Sequence, residues 1–275
     1  MSIVRNLRLF RRAALVAVTA AATAAAGTGV GMADAAGTDT LRPAPVVELT
    51  VDSAAIHGPD RLPPGVTTFH STSSHPGTDS MAVVRLNDGV SYDQIYGYLA
   101  VGDLSSVFRH VAGYGGIAHG GTHNGSRWTT TLTPGNYLFA DDEAHLVAPF
   151  EVSGPRQNAQ QPKAAGKIRF VDGSFQVPQR FGDGTWQLVN HDRIQHELGF
   201  LHVAPGYTQA DVEKALARGD QPPWIIPVGT VNAIGPGQSA WVTLRDIHGF
   251  YVIGDWLPMF QGAADGPIIQ YRTVC

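Results

Sequence analysis

The stretch RLNDGVSYDQIYGYLAVGD (Arg85 to Asp103) returns as HVAPGYTQADVEKALARGD (His202 to Asp220), so Gly89, Leu99, Gly102 and Asp103 recur 117 positions later at Gly206, Leu216, Gly219 and Asp220. A second match follows in the same order. LTPGNYLFADD (Leu132 to Asp142) aligns with IHGFYVIGDW (Ile247 to Trp256), placing Gly135, Tyr137 and Asp141 against Gly249, Tyr251 and Asp255. Two ordered matches at similar spacing indicate duplication of a unit of about 110 residues, the size of a whole domain rather than of a solenoid repeat.

Outside the duplication, three segments have other characters. Arg5, Arg8, Arg11 and Arg12 precede the small apolar run Ala13 to Ala26, and Ala33-Asp34-Ala35 fits the small-x-small cleavage pattern, so residues 1–35 are expected to be a signal peptide. This predicts a secreted, extracellular protein with a mature start near Ala36 and no stable membrane span once the signal is removed. Residues 154–166 (GPRQNAQQPKAAG) carry no apolar periodicity and separate the copies as a linker. The domains are then 46–153 and 167–275.

Composition narrows the class of partner. Removing the signal with its four Arg and one Asp leaves 15 basic and 22 acidic residues, a net charge of −7, which repels phosphate backbones and argues against nucleic acid. The charged fraction is low (15%), with 32 Gly and 18 Pro, as in an ordered, turn-rich β protein. The single Cys, Cys275, has no internal disulfide partner.

Within each copy the elements follow one order. Val46 to Val51 and Lys167 to Val171 open as strands; GVTTFH (65–70) and GTWQLVN (184–190) follow, then SMAVVRL (80–86) and HELGFLHV (196–203). A helix interrupts them. Ser91 and Thr208 stand as N-caps, Ile95, Tyr98 and Leu99 match Val212, Ala215 and Leu216 as one apolar stripe, and Gly102 and Gly219 mark the stops. The copies close with WTTTLTPGNYLFA (128–140) and AWVTLRDIHGFYVIG (240–254), each a strand, a turn and a Tyr-bearing strand. The fold class is therefore all-β, two tandem Greek-key β-sandwich domains, each with one inserted helix. The two halves are expected to superpose as separate sandwiches, with no sheet running through both.

This order of elements resembles the cupredoxin-like family of plastocyanin- and azurin-type secreted copper proteins, in tandem form. The resemblance implies a copper site of two His, one Cys thiolate and an axial Met, the soft thiolate setting the metal's character. Neither copy keeps that set. The resemblance would put the thiolate at Ala140 and Gly254; His145 takes a place like that of the second His, Pro149 stands near the expected Met, and Asp79 aligns with the upstream His. The second copy keeps His196 upstream and Met259 downstream. His145, His196 and Met259 are thus the candidate metal positions, vestigial in this reading. His-x-His pairs and a His-Cys-His cluster are absent from the chain, which argues against multicopper oxidase chemistry.

Other groupings carry less. His119 and His123 flank a Gly-rich loop that is costly to order around an ion. His196 and His202 are six apart, which on a strand separates them by about 20 Å. Ser239 lacks the Gly-x-Ser-x-Gly elbow. Asp141-Asp142-Glu143 and Asp255 suit a solvated edge, a weak cation site or acid/base carboxylates, and Asn124-Gly-Ser126 is a formal glycosylation sequon. The expected function is that of a secreted, non-catalytic binding or structural protein with no cofactor, built from two degenerate cupredoxin-like domains and directed at an extracellular ligand or protein. The alternatives are an extracytoplasmic copper- or zinc-binding protein using a His, carboxylate or Met site, and an enzyme with its site at the domain junction.

Overall fold

The computed structural model describes residues 42–274 apart from 75–79, 119–125, 142–145, 221 and 262–266. The expected signal peptide, Asp79, His119, His123, Asn124, Asp142, Glu143, His145 and Cys275 lie outside the described residues, as does the side chain of Met259.

In the first repeat, β1 (Arg42–Pro43) leads into β2 (Val46–Val51), β3 (Ile56–His57), β4 (Arg61–Leu62), β5 (Gly65–Ser73) and β6 (Met81–Leu86). Helices α1 (Tyr92–Ala100) and α2 (Leu104–His110) come next, then β7 (Val111–Ala118), β8 (Ser126–Leu132), β9 (Gly135–Asp141) and β10 (Leu146–Val152). After β11 (Ala159–Gln160), the second repeat runs β12 (Gly166–Val171), β13 (Ser174–Gln176), β14 (Gly184–Asn190), β15 (His196–Val203), α3 (Gln209–Arg218), β16 (Ile225–Ile234), β17 (Ser239–Leu244), β18 (Gly249–Asp255), a 3-10 helix at Leu257–Gln261, and β19 (Ile268–Val274).

The pairing repeats as faithfully as the sequence. β2 lies parallel to β5 and β5 antiparallel to β8, just as β12 lies parallel to β14 and β14 antiparallel to β17. In the facing sheet β6 sits between β7 and β9, with β10 outside β9; β15 sits between β16 and β18, with β19 outside β18. Each repeat is an all-β sandwich of two facing sheets, with the same strand order in both. Tyr137 and Tyr251 are both buried on their strands, and the Tyr137 hydroxyl donates to the Thr133 carbonyl at 2.8 Å. Burial pushes the Tyr137 phenol well above its ordinary value, hydrogen bonding with Thr133 notwithstanding.

The helices begin where the caps predict. Ser91 accepts from the Gln94 amide, and Thr208 and Asp211 form a reciprocal capping box. Gly102 and Gly219 both have φ of 70°, the left-handed turn that ends a helix without a Cβ penalty. The first repeat carries an additional helix: Asp103 caps the seven-residue α2 by accepting from the Ser106 amide. Its counterpart Asp220 instead pairs with Arg218. One repeated residue thus serves two local ends. No helix among the described residues is long and apolar enough to cross a membrane.

The expectation of separate sheets is corrected by the junction. β7 pairs antiparallel with β16 (Ile117 opposite Val231) and β8 with β17 (Thr129 opposite Trp241), so a nine-stranded and an eight-stranded sheet each run through both repeats. The alignment survives this. Leu132 lies opposite Gly65 and Leu244 opposite Gly184, so Thr129 and Trp241, each three residues earlier, hold equivalent places and face one another. Equivalent edges meet by an approximate two-fold axis, which makes the contact self-complementary, as in an isologous dimer. One apolar cluster extends from Phe69, Trp128 and Phe139 through to Phe170, Leu188 and Ile253.

The linker is pinned rather than free. β11 pairs with β1, the Gln157 amide donates to the Pro64 carbonyl at 2.9 Å, and its side chain donates to the Val66 carbonyl and the Thr67 hydroxyl.

Candidate functional site

Of the expected metal positions, His196 is the one whose side chain is described, and it is wholly buried (0% exposed) at the start of β15. Its partner comes from the end of β18. Asp255, also 0% exposed, brings Oδ2 to 2.5 Å from His196 Nδ1, and its Oδ1 accepts from the Glu197 and Leu257 amides at 3.2 Å each. Both oxygens of this carboxylate are thus engaged, Oδ2 by the imidazole and Oδ1 by the two backbone amides. The ring of Phe170 stacks on the imidazole with centroids 4.8 Å apart and planes 8° from parallel.

The far nitrogen of the imidazole meets a second acid. Asp192 Oδ2 stands 3.4 Å from His196 Nε2 and also accepts from the Gly173 amide at 2.6 Å. Desolvation pushes the Asp192 carboxyl up; the amides of Arg193 and Gly173 and the nearby His196 outweigh it and leave the group below its ordinary value. The two carboxylates therefore address opposite nitrogens of one ring. They cannot converge on a common ion, and no group of three or more His, Cys, Asp or Glu among the described residues is arranged to hold one.

The register of β18 decides which side chain meets His196. Gly254 pairs with Gly199 and carries no side chain toward His196; a Cβ there would lie 2.3 Å from the Trp256 ring, which covers both glycines. Because side chains alternate along a strand, the residue that reaches His196 is the next one, Asp255. In the first repeat Asp141 ends β9 in the same way and is 2% exposed, beside Val51, Ser71, Ser80 and Met81. Ala140, like Gly254, is one residue short. The signal was present in the chain: counting by twos from the repeated tyrosines gives 137, 139, 141 and 251, 253, 255 as the inward face.

Two residues that sequence reasoning missed complete the cluster. Gln195, 3% exposed, accepts from the Gly113 amide at 2.7 Å and donates to the carbonyls of Phe108 and Val111 at 2.8 and 2.9 Å. Its backbone exchanges two hydrogen bonds with Gln261 of the 3-10 helix, at 2.9 and 2.8 Å. Gln195 thus ties the His196 neighbourhood to the first repeat. Nothing in an isolated Gln residue announces such a role.

The other candidates are not gathered here. His202 lies at the far end of β15, its ring 5.2 Å from that of Tyr251, and Ser239 sits at the start of a strand with no elbow. A surface depression of about 220 Å³ lined by Arg85, Asp88, Asn136 and Glu151 is remote in the chain from His196 and carries both signs of charge. At the outer edge, Asp52 accepts from His57 at 2.7 Å and from the Ala54 and Ala55 amides, which lower its pKa from 3.8 to about 2. Since the folded value is depressed, its contribution is present above the ordinary pKa and lost as pH falls through about 2. Carboxyl NMR titration should find that midpoint near 2, moving back toward 3.8 in His57→Ala. A midpoint unmoved by that substitution would refute the assignment of cause.

No protein-family profile matches the chain, and no curated protein does. Among solved structures, auracyanin B is similar over 42% of this chain and 93% of its own at 16% identity and a TM-score of 0.26. A copper-containing nitrite reductase from Thermus scotoductus is similar over 84% of this chain at 12% identity and a TM-score of 0.22, the match spanning 61% of that enzyme. A multicopper oxidase is similar over 84% of this chain and 88% of its own at 13% identity and a TM-score of 0.20. Likeness this loose carries no argument about activity, and it is the strand order within each repeat that defines the fold.

Proposed function

We propose that this is a secreted, non-catalytic binding or structural protein, built from two cupredoxin-like domains that have lost the type 1 copper site and act on an extracellular ligand or protein. The observation that carries the reading is the His196–Asp255 pair. The Nδ1 of this imidazole is bonded at 2.5 Å to one carboxylate and its Nε2 lies 3.4 Å from a second, and carboxylate oxygen is a poor substitute for the soft thiolate that type 1 copper chemistry requires. Catalysis by the same pair is disfavoured by access: both side chains are 0% exposed, and a general acid or base must come within hydrogen-bond reach of its substrate.

A second reading, a copper- or zinc-binding protein, draws on one specific feature, the buried His196 Nε2 that lacks a hydrogen-bond partner. Metal analysis and copper titration of the secreted protein separate the two. The expected result is a colourless protein without stoichiometric tightly bound metal, even after copper is added. A blue band lost in a Cys275→Ser control would mean that the terminal thiol reaches an ion, and the reading would fail.

A further inference from the structure

The cluster at His196 does more than occupy the place of a metal. We infer that Gln195, His196, Asp255 and Gln261 form a metal-independent lock that holds the two repeats together at the β7–β16 seam. The inference rests on the copper-free reading above and names what the altered site does.

The connections are continuous. Asp255 fixes His196 through Nδ1 and fixes the start of the 3-10 helix through the Leu257 amide. Gln261, at the end of that helix, clasps the backbone of Gln195 from both sides. The Gln195 side chain then crosses to the first repeat, where it satisfies the Gly113 amide and the carbonyls of Phe108 and Val111. Those three groups lie near the end of α2 and in the first residues of β7, which are in register with β6 on one side while the register with β16 on the other ends at Tyr114 opposite Ile234. Buried backbone groups must be satisfied, and here a side chain of the other repeat satisfies them. The donor set does not fit copper: one imidazole with carboxylates on opposite nitrogens lacks both the thiolate and a second nitrogen on the same side.

The test reads amide hydrogen exchange by residue, together with the thermal midpoint, in the full-length secreted protein. Asp255→Asn should lower the midpoint by roughly 10 °C, since it weakens one half of a buried pair. It should also speed exchange at Val111–Gly113 in the first repeat as well as at Leu257–Gln261. Gln195→Met should speed exchange at Gly113 while leaving the low-field proton of the His196–Asp255 bond in place. That variant decides the matter if Asp255→Asn does not fold. One equivalent of Cu(II) or Zn(II) should leave midpoint and exchange unchanged. Exchange effects of Asp255→Asn confined to the second repeat, or a metal-induced rise in midpoint abolished by His196→Gln, would overturn the lock. A metal-induced rise that survives His196→Gln, with the exchange pattern as expected, would support the lock while refuting the copper-free function.

Discussion

Expressed alone, residues 167–275 should fail to fold cooperatively, whereas the full chain should melt in a single transition. Excision strips β16 and β17 of their partners β7 and β8, leaving two adjoining edges of backbone donors and acceptors unpaired. It also uncovers apolar surface, since Val231, Ile234 and Trp241, each at most 3% exposed, sit opposite Ile117, Tyr114 and Thr129 of the first repeat. At about 1.5–3 kcal/mol for each fully buried side chain, exposing these three costs on the order of 5–8 kcal/mol. A domain's whole stability is about 5–15 kcal/mol. Circular dichroism and thermal melting of the fragment beside the full chain give the answer. A fragment that melts cooperatively within a few degrees of the intact protein would show the junction to be incidental.

Gly113→Val should be the most damaging single substitution at the seam. A Cβ at Gly113 would stand 2.1 Å from the Ala233 carbonyl oxygen and 2.5 Å from its carbon, across the two repeats. Both obstacles are backbone, so no side chain can swing aside, and the sheets must part. A loss above about 4 kcal/mol is expected, enough to lower the midpoint by more than roughly 8 °C or to abolish soluble protein. Gly97 offers the contrast. It lies on α1 with nothing within 4 Å of the place a Cβ would take, so Gly97→Ala should stabilise by about 0.5–1 kcal/mol. Equal midpoints for the two variants would contradict the close approach at the seam.

The difference between these glycines marks how far the chain can be read. Helices α1 and α3 were legible because capping residues, apolar stripe and stop glycine act within a dozen residues of one another. Most strands of the two sandwiches were legible for a similar reason, as alternation reports one buried face. β7 (VAGYGGIA) and β16 (IIPVGTVNAI) were not. Close approach of backbones at the seam selects glycine there and erases the alternation that identifies a strand. α2, at seven residues, is too short to establish a helical period. The pairing of His196 with Asp255 was half legible: both residues stood out, but their contact depends on which face of β18 meets β15, and the side-chain period of a strand is two.

By itself, then, the sequence determined the duplication, the sandwich class, the helix ends and that no cysteine stands in the region where the resemblance implied one. These are set by local propensity and by pattern, which a chain carries wherever it folds. Only the tertiary structure decided that the repeats share both sheets, that Asp255 faces His196, and that Gln195 reaches across the seam. Sheet edges join through backbone hydrogen bonds, which are the same for nearly every residue type, and a buried glutamine has no partner until residues more than 80 positions away are brought to it.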